Sequence, residues 1–153
     1  MGDRYMDIAL KEAYDGISHG HGGPFGSVVV KDGEIVGRGH NRVILNNDPT
    51  CHGEMEAIRD ACRTLGTFDL SGCELYTTAE PCPMCLGAIM WANISKVYYG
   101  CTKQDTADIG FRDDDFYRHI TGELSVLELC ECGRDSCLEL FEKYKAKKNK
   151  KKY

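Results

Sequence analysis

"PCPMC" (81–85) sets two cysteines, Cys82 and Cys85, three residues apart, with a proline ahead of each. Taken alone, the pair is half of a structural zinc knuckle, a redox couple, part of a catalytic metal site, or two core thiols. Pro83 resolves the local structure. Proline is tolerated in the first turn of a helix, where its missing N–H costs nothing. It therefore predicts a helix over "PMCLGAIMWAN" (83–93), with both cysteines at its start and able to face one point. "CELYTT" (73–78) before it and "KVYYGC" (96–101) after it are strand-like runs, so the stretch lies inside a strand–helix–strand unit.

Working outward, Met6, Ala9, Leu10, Ala13, Tyr14 and Ile17 recur at helical spacing and predict an amphipathic helix over 3–18. "FGSVVVK" and "EIVGRGHN" read as two strands joined by Asp32-Gly33, a pair that tight hairpins prefer. A loop with Asn46, Asn47, Asp48 and Pro49 follows. A second helix then runs from His52 to Leu65, with Met55, Ile58, Cys62 and Leu65 along one face. Beyond the central unit, 102–110 reads as loop, "DDDFYRHI" (113–120) as a short helix, "ELSVLEL" (123–129) as a fifth strand, and the tail from about Ser136 as helix. Helices alternating with strands after an initial hairpin imply an α/β fold, a sheet covered on both faces.

The totals exclude several classes. The chain has 153 residues, which suits a single domain, 1–153. It is 42% hydrophobic and 28% charged, hence globular. No apolar run approaches membrane-spanning length, and the N-terminus has no signal-peptide core, so a cytoplasmic protein with no membrane partner is expected. The net charge of −5 disfavours a dedicated nucleic-acid binder. Nine cysteines are an odd number and cannot all pair within the chain; without an export signal they are expected to stay reduced.

His52, Glu54, Cys82 and Cys85 form a chemical set. Thiolate sulfur and imidazole nitrogen are preferred zinc ligands, and three protein ligands leave a fourth position open, as in catalytic sites. A nearby carboxylate that does not bind the metal can then carry protons. Glu54 stands two residues from His52, and such neighbours diverge in a regular helix. The metal is therefore expected off the helix ends, where two N-terminal dipoles would favour thiolate and hydroxide.

"HGE" followed by "PCPMC" is the H-x-E…P-C-x-x-C pattern of zinc-dependent nucleobase deaminases. With "GGPFGSVVVKDG", "NDPT", "HGEMEAIR", "LYTTAEPCPMCLGAIMWA" and "TKQDTADIGF" in the same order, nearly the whole chain resembles the cytidine-deaminase-like superfamily. "GGPFG", "DTADIGFRDDDFY" and the terminal tyrosine are most similar to the small bacterial guanine deaminases. The resemblance implies a three-layer α/β/α sandwich on a mixed five-stranded sheet. It implies one catalytic Zn2+ on His52, Cys82 and Cys85, with Glu54 as proton carrier, and hydrolysis of guanine to xanthine and ammonia. It also implies that Asn41, Phe25, Asp113, Trp91 and Tyr153 contact the base, and that the chain is a homodimer, with the segment from about 136 to 153 as the element exchanged between subunits. Cytosine is the alternative base, suggested by "HGE". Adenosine in transfer RNA is another. A nucleic-acid-binding zinc module built from the basic tail and the cysteine clusters is the non-enzymatic alternative.

The remaining groups receive plainer expectations. Cys51 is assigned to packing, as are Cys62, Cys73 and Cys101. Cys130, Cys132 and Cys137 are expected to be scattered thiols, the alternative being a structural zinc site completed by His119. His19, His21 and His40 carry no motif and are expected on loops or the surface.

Overall fold

The computed structural model describes residues 3–153. The order is α1 (Asp3–Ser18), β1 (Gly26–Lys31), β2 (Glu34–His40), α2 (Val43–Asn46), α3 (Gly53–Leu65), β3 (Cys73–Ala79), α4 (Pro83–Trp91), β4 (Lys96–Cys101), α5 (Lys103–Asp108), α6 (Asp113–Ile120) and α7 (Arg134–Ala146). Asp32 and Gly33 both take positive φ and make the expected two-residue hairpin, pairing Lys31 with Glu34. The strand order is β2-β1-β3-β4, antiparallel except for the parallel pair β3–β4. The β3–α4–β4 unit is the parallel crossover that "PCPMC" lies in.

Side chains alternate across this mixed sheet. Val28, Val30 and Tyr76 meet Tyr5 and Ile8 of α1 on one face. Val29 and Leu75 meet Ala57, Ile58 and Ala61 of α3, and Ile89 and Ala92 at the end of α4, on the other. Three layers result, as expected. Close approach sets the residue sizes. A Cβ on Gly37 would lie 2.4 Å from the Ala57 carbonyl oxygen, and one on Gly26 would lie 2.1 Å from that of Ala9. The fully buried line of α1 is therefore Ala9 and Ala13, while Leu10, Tyr14 and Ile17 of the expected stripe are displaced to its exposed flank. Likewise α3 buries Ala57, Ile58 and Ala61, with Cys62 and Leu65 at the core's margin.

Four expectations are corrected. The sheet has four strands, not five, among the described residues. The segment 123–129 finds no strand partner, and Val126, Leu127 and Leu129 stay exposed. The loop 102–110 contains α5, started by a capping box in which Thr102 and Asp105 satisfy each other's backbone N–H. The loop after β2 contains the one-turn α2. The C-terminal helix expected from about Ser136 begins two residues earlier, and it buries no residue against its own chain. No helix among the described residues is long and apolar enough to cross a membrane.

Candidate active site

Two helix starts converge. His52 is the N-cap of α3, with extended backbone at φ −73 and ψ 160. Cys82 is the N-cap of α4 at φ −68 and ψ 168, and Pro83 follows in the first turn. Leaving the helix at the cap lets His52 turn away from the i, i+2 direction that would oppose it to Glu54. The His52 nitrogen and the Cys82 and Cys85 sulfurs all lie within 4.8 Å of one another, with His52 Nδ1 3.5 Å from Cys82 Sγ. Two sulfurs and one imidazole nitrogen, converging at helix N-termini, are a fitting donor set for one zinc ion.

Protonation follows from the same crowding. The Cys85 thiol and His52 hydrogen-bond to Cys82 and hold it down to about 4, as a thiolate. That bond and burial push Cys85 upward. The hydrogen bond with Cys82 raises His52. Zinc binding needs the second sulfur and the imidazole nitrogen free of protons, so it would release those they carry. Glu54 is 6% exposed and its carboxyl is raised first by burial. A buried carboxyl beside the metal-competent group is suited to accept and return protons.

A cavity of about 430 Å³ opens over these groups. Asn41 and Phe25, two of the residues expected to contact a base, line it with His52, Glu54 and Cys82, and Asp113 closes one side. Asn41 is 4% exposed; its backbone N–H donates to the Phe25 carbonyl, and its Oδ1 accepts from the Val43 N–H at 3.0 Å. The side-chain amide donors are thus left for a ligand. Phe25 meets Phe111 edge to face at 4.9 Å. Asp113 begins α6, and burial, then the Cys82 thiolate, raises its carboxyl. The Tyr117 hydroxyl on the same helix donates to the Pro81 carbonyl and fastens α6 to the "PCPMC" loop.

Trp91 and Tyr153 lie elsewhere. They are 66% and 78% exposed, and their rings stand 5.7 Å apart beside Phe68, outside this cavity. Conversely, the cavity wall includes Phe111, Arg112, Glu80 and α2's Val43 and Ile44, none of which were assigned a role from sequence. Gly110, with φ 99, is the turn that swings Phe111 inward. Among the described residues His52, Cys82 and Cys85 form the one metal-competent group. Cys130, Cys132 and Cys137 are exposed, and His119 Nδ1 is engaged by the Val126 N–H. Cys51 is buried and faces Asn46 and Arg59, Cys73 is buried, and Cys101, expected in the core, is exposed on β4. His40 is likewise not on the surface: it is 5% exposed.

Comparison with known proteins follows this geometry. The model for the cytidine and deoxycytidylate deaminase zinc-binding region matches residues 2–101. The guanine deaminase of Bacillus subtilis is 42% identical over 99% of this chain and 98% of its own. Its solved structure superposes with a TM-score of 0.92 over the same shares of the two chains. A tRNA-specific adenosine deaminase of Aquifex aeolicus is 47% identical over 100 residues, 65% of this chain and 66% of that protein.

Proposed function

The chain belongs to the cytidine and deoxycytidylate deaminase zinc-binding family, and from that premise we propose that it deaminates guanine to xanthine and ammonia. The carrying observation is where likeness stops. Matches to two transfer-RNA deaminases cover 65% and 78% of the chain, whereas the match to a guanine deaminase covers 99% of it, the C-terminal arm included. Residues beyond the family region of 2–101 supply Phe111, Arg112 and Asp113 to the cavity.

His52, Cys82 and Cys85 would hold the zinc. When bound, the ion supplies a water acidified to a pKa of about 7. Phe25 and Phe111, packed edge to face, form an apolar wall for one face of the purine, and Asn41 donates to its polar edge. Asp113 accepts from the N–H edge. Glu54 takes the proton of the water that adds to carbon 2. It passes that proton to the adjacent ring nitrogen, then takes the proton left on the added hydroxyl and gives it to the amino group, so that the carbon–nitrogen bond breaks as the carbonyl forms. Guanine and water are consumed, and xanthine and ammonia are released, with no other reactant.

The protein works in this reading as a cytoplasmic homodimer of single-domain chains that exchange their C-terminal arms. Leu138, Leu140, Phe141 and Tyr144 of α7 are 39–67% exposed on a helix with no partner in its own chain. The β4 edge, open in the sheet order, would accept the strand-like segment 123–129 of a second copy, since unpaired edges invite augmentation. Tyr153, remote from its own cavity, would then serve the other copy's.

Ammonia release is the test, measured with guanine, cytosine, adenine and a transfer-RNA anticodon stem. Guanine is expected to dominate by at least tenfold. Preferential turnover of the RNA stem or of cytosine would overturn the substrate assignment.

A further inference from the structure

Beneath the wall of the cavity lies a side-chain chain that the reaction does not use. His40, at the end of β2, receives the Glu12 carboxylate on Nδ1 at 2.8 Å. Its Nε2 stands 2.8 Å from His21 Nδ1, with the two rings stacked at 14°. Glu12 and His40 are both largely enclosed, with side chains 16% and 7% exposed. Gly16 makes room: a Cβ there would lie 2.7 Å from the His40 ring.

This chain ends at the substrate wall. The His21 carbonyl accepts the N–H groups of Ile44 and Leu45 and so fixes α2, whose Ile44 faces the cavity. The next residue, Gly22, abuts the Asn41 carboxamide so closely that a Cβ would lie 2.1 Å from Oδ1. Asn41 itself directly follows His40. The imidazole–imidazole bond is thus the side-chain tie between the loop on one side of Asn41 and the strand end on the other.

We propose that Glu12, His40 and His21 form a positioning triad that holds Asn41 and the Gly22–Gly23 wall in register for the substrate, through one proton shared by the two imidazoles. The bond geometry states its own limit. Glu12 demands a proton on His40 Nδ1, so the contact between the rings holds one proton and one lone pair. A second proton there sets two N–H groups against each other and breaks the tie. The titratable and charged groups facing His21 are His40 on β2, Arg42 at the start of α2 and His19 at the end of α1, while Glu12 on α1 faces His40. Burial and those neighbours lower His21 from its ordinary value, which keeps the tie intact through neutral pH.

The inference rests on the guanine reading for its kinetic test alone. For the zinc-loaded enzyme, KM for guanine is expected to rise about fivefold, the effect of one ordinary hydrogen bond, as pH falls below His21's titration, with kcat within twofold. His21→Ala should show that higher KM already at pH 7.5 and lose the acid rise, and His21→Gln, whose amide can accept from or donate to His40 Nε2, should recover much of the difference. A wild-type KM in His21→Ala, or an acid rise that persists in it, would overturn the triad. A second arm needs neither substrate nor variant: nitrogen-15 spectra of the wild type should show His21 Nδ1 and His40 Nε2 coupled across one shared proton. Absence of that coupling at pH 7.5 would sink the proposal whichever base the enzyme prefers.

Discussion

Replacing Glu54 by glutamine isolates the proton carrier from the metal. Glutamine keeps the shape of a side chain that is 6% exposed and deeply enclosed, so the cavity and the convergence of His52, Cys82 and Cys85 should survive. Proton transfer by a positioned side chain contributes about 10²–10⁴ in rate, or roughly 3–5 kcal/mol of barrier. Glu54 is asked to act twice on each turnover, so the upper part of that range is expected, read as ammonia released per second at saturating guanine. Zinc content should stay at about one per chain, because a three-ligand site does not count the carboxylate. Removing the metal exposes a second consequence. Burial raises the Glu54 pKa in the fold. A carboxyl raised on folding contributes stability that is complete below its unfolded value, about 4.3, and that is lost as pH climbs through the folded value. Zinc-free Glu54→Gln, which cannot ionise, should therefore gain on zinc-free wild type as pH rises, visible as a widening gap in Tm. Full zinc with activity within tenfold of wild type would refute the assignment of protons to Glu54; loss of zinc would make Glu54 a ligand instead.

Other outcomes follow from the same geometry. Cys85→Ser should abolish zinc retention after gel filtration, measured by metal analysis; retention at one ion per chain would place the metal elsewhere. Phe111→Ala removes the edge-to-face partner of Phe25 and, at about 0.5–1.5 kcal/mol for such a pair, should raise KM for guanine roughly two- to tenfold. Deleting 134–153 removes a helix that buries nothing in its own chain, so light scattering should show a dimer for the full chain and a monomer for the truncated one, and kcat/KM should fall at least tenfold; an equal subunit number for the two would end the exchanged-arm reading. Thr102→Ala strips the capping box of α5 and should lower Tm by about 2–4 °C, given about 1 kcal/mol for a lost cap in a chain of this size.

What could be read from the sequence was what short-range chemistry encodes. The Asp32-Gly33 hairpin needs two adjacent residues, and Pro83 announces α4 by itself. The ligand set needs only two fragments and the knowledge that helix caps splay. The misreadings came where distant packing decides. Ala9 and Ala13 sit inside while Leu10 and Tyr14 do not, because β1 approaches α1 at Gly26, a constraint no periodicity reveals. His40 and His21 carried no motif, yet their roles arise from meeting Glu12 across 28 and His40 across 19 positions of chain. The run 123–129 has a strand's composition but pairs with neither sheet edge of its own chain. The α5 helix, read as loop, was missed although its signal is local: Thr102-x-x-Asp105 is an ordinary N-cap pattern.

The division between legible and illegible also divides the proposed chemistry from its selectivity. The region common to the family, 2–101, contains His52, Glu54, Cys82 and Cys85, together with Asn41 and Phe25. Everything it requires is a pair of helix N-termini set side by side by β1 and β3, and the same machinery can serve any aminated heterocycle whose carbon reaches the metal. Phe111, Arg112, Asp113 and the arm lie outside that region. Phe111, Arg112 and Asp113 reach the cavity where Gly110 turns the chain and Tyr117 ties α6 to the Pro81 carbonyl. A relative that keeps the first part and replaces the second retains a hydrolytic centre with a differently shaped approach to it. On that argument, exchanging 102–153 for the equivalent segment of a transfer-RNA deaminase should leave zinc binding intact and remove guanine turnover. Persistence of guanine turnover in that chimera would move the choice of base back to Asn41 and Phe25.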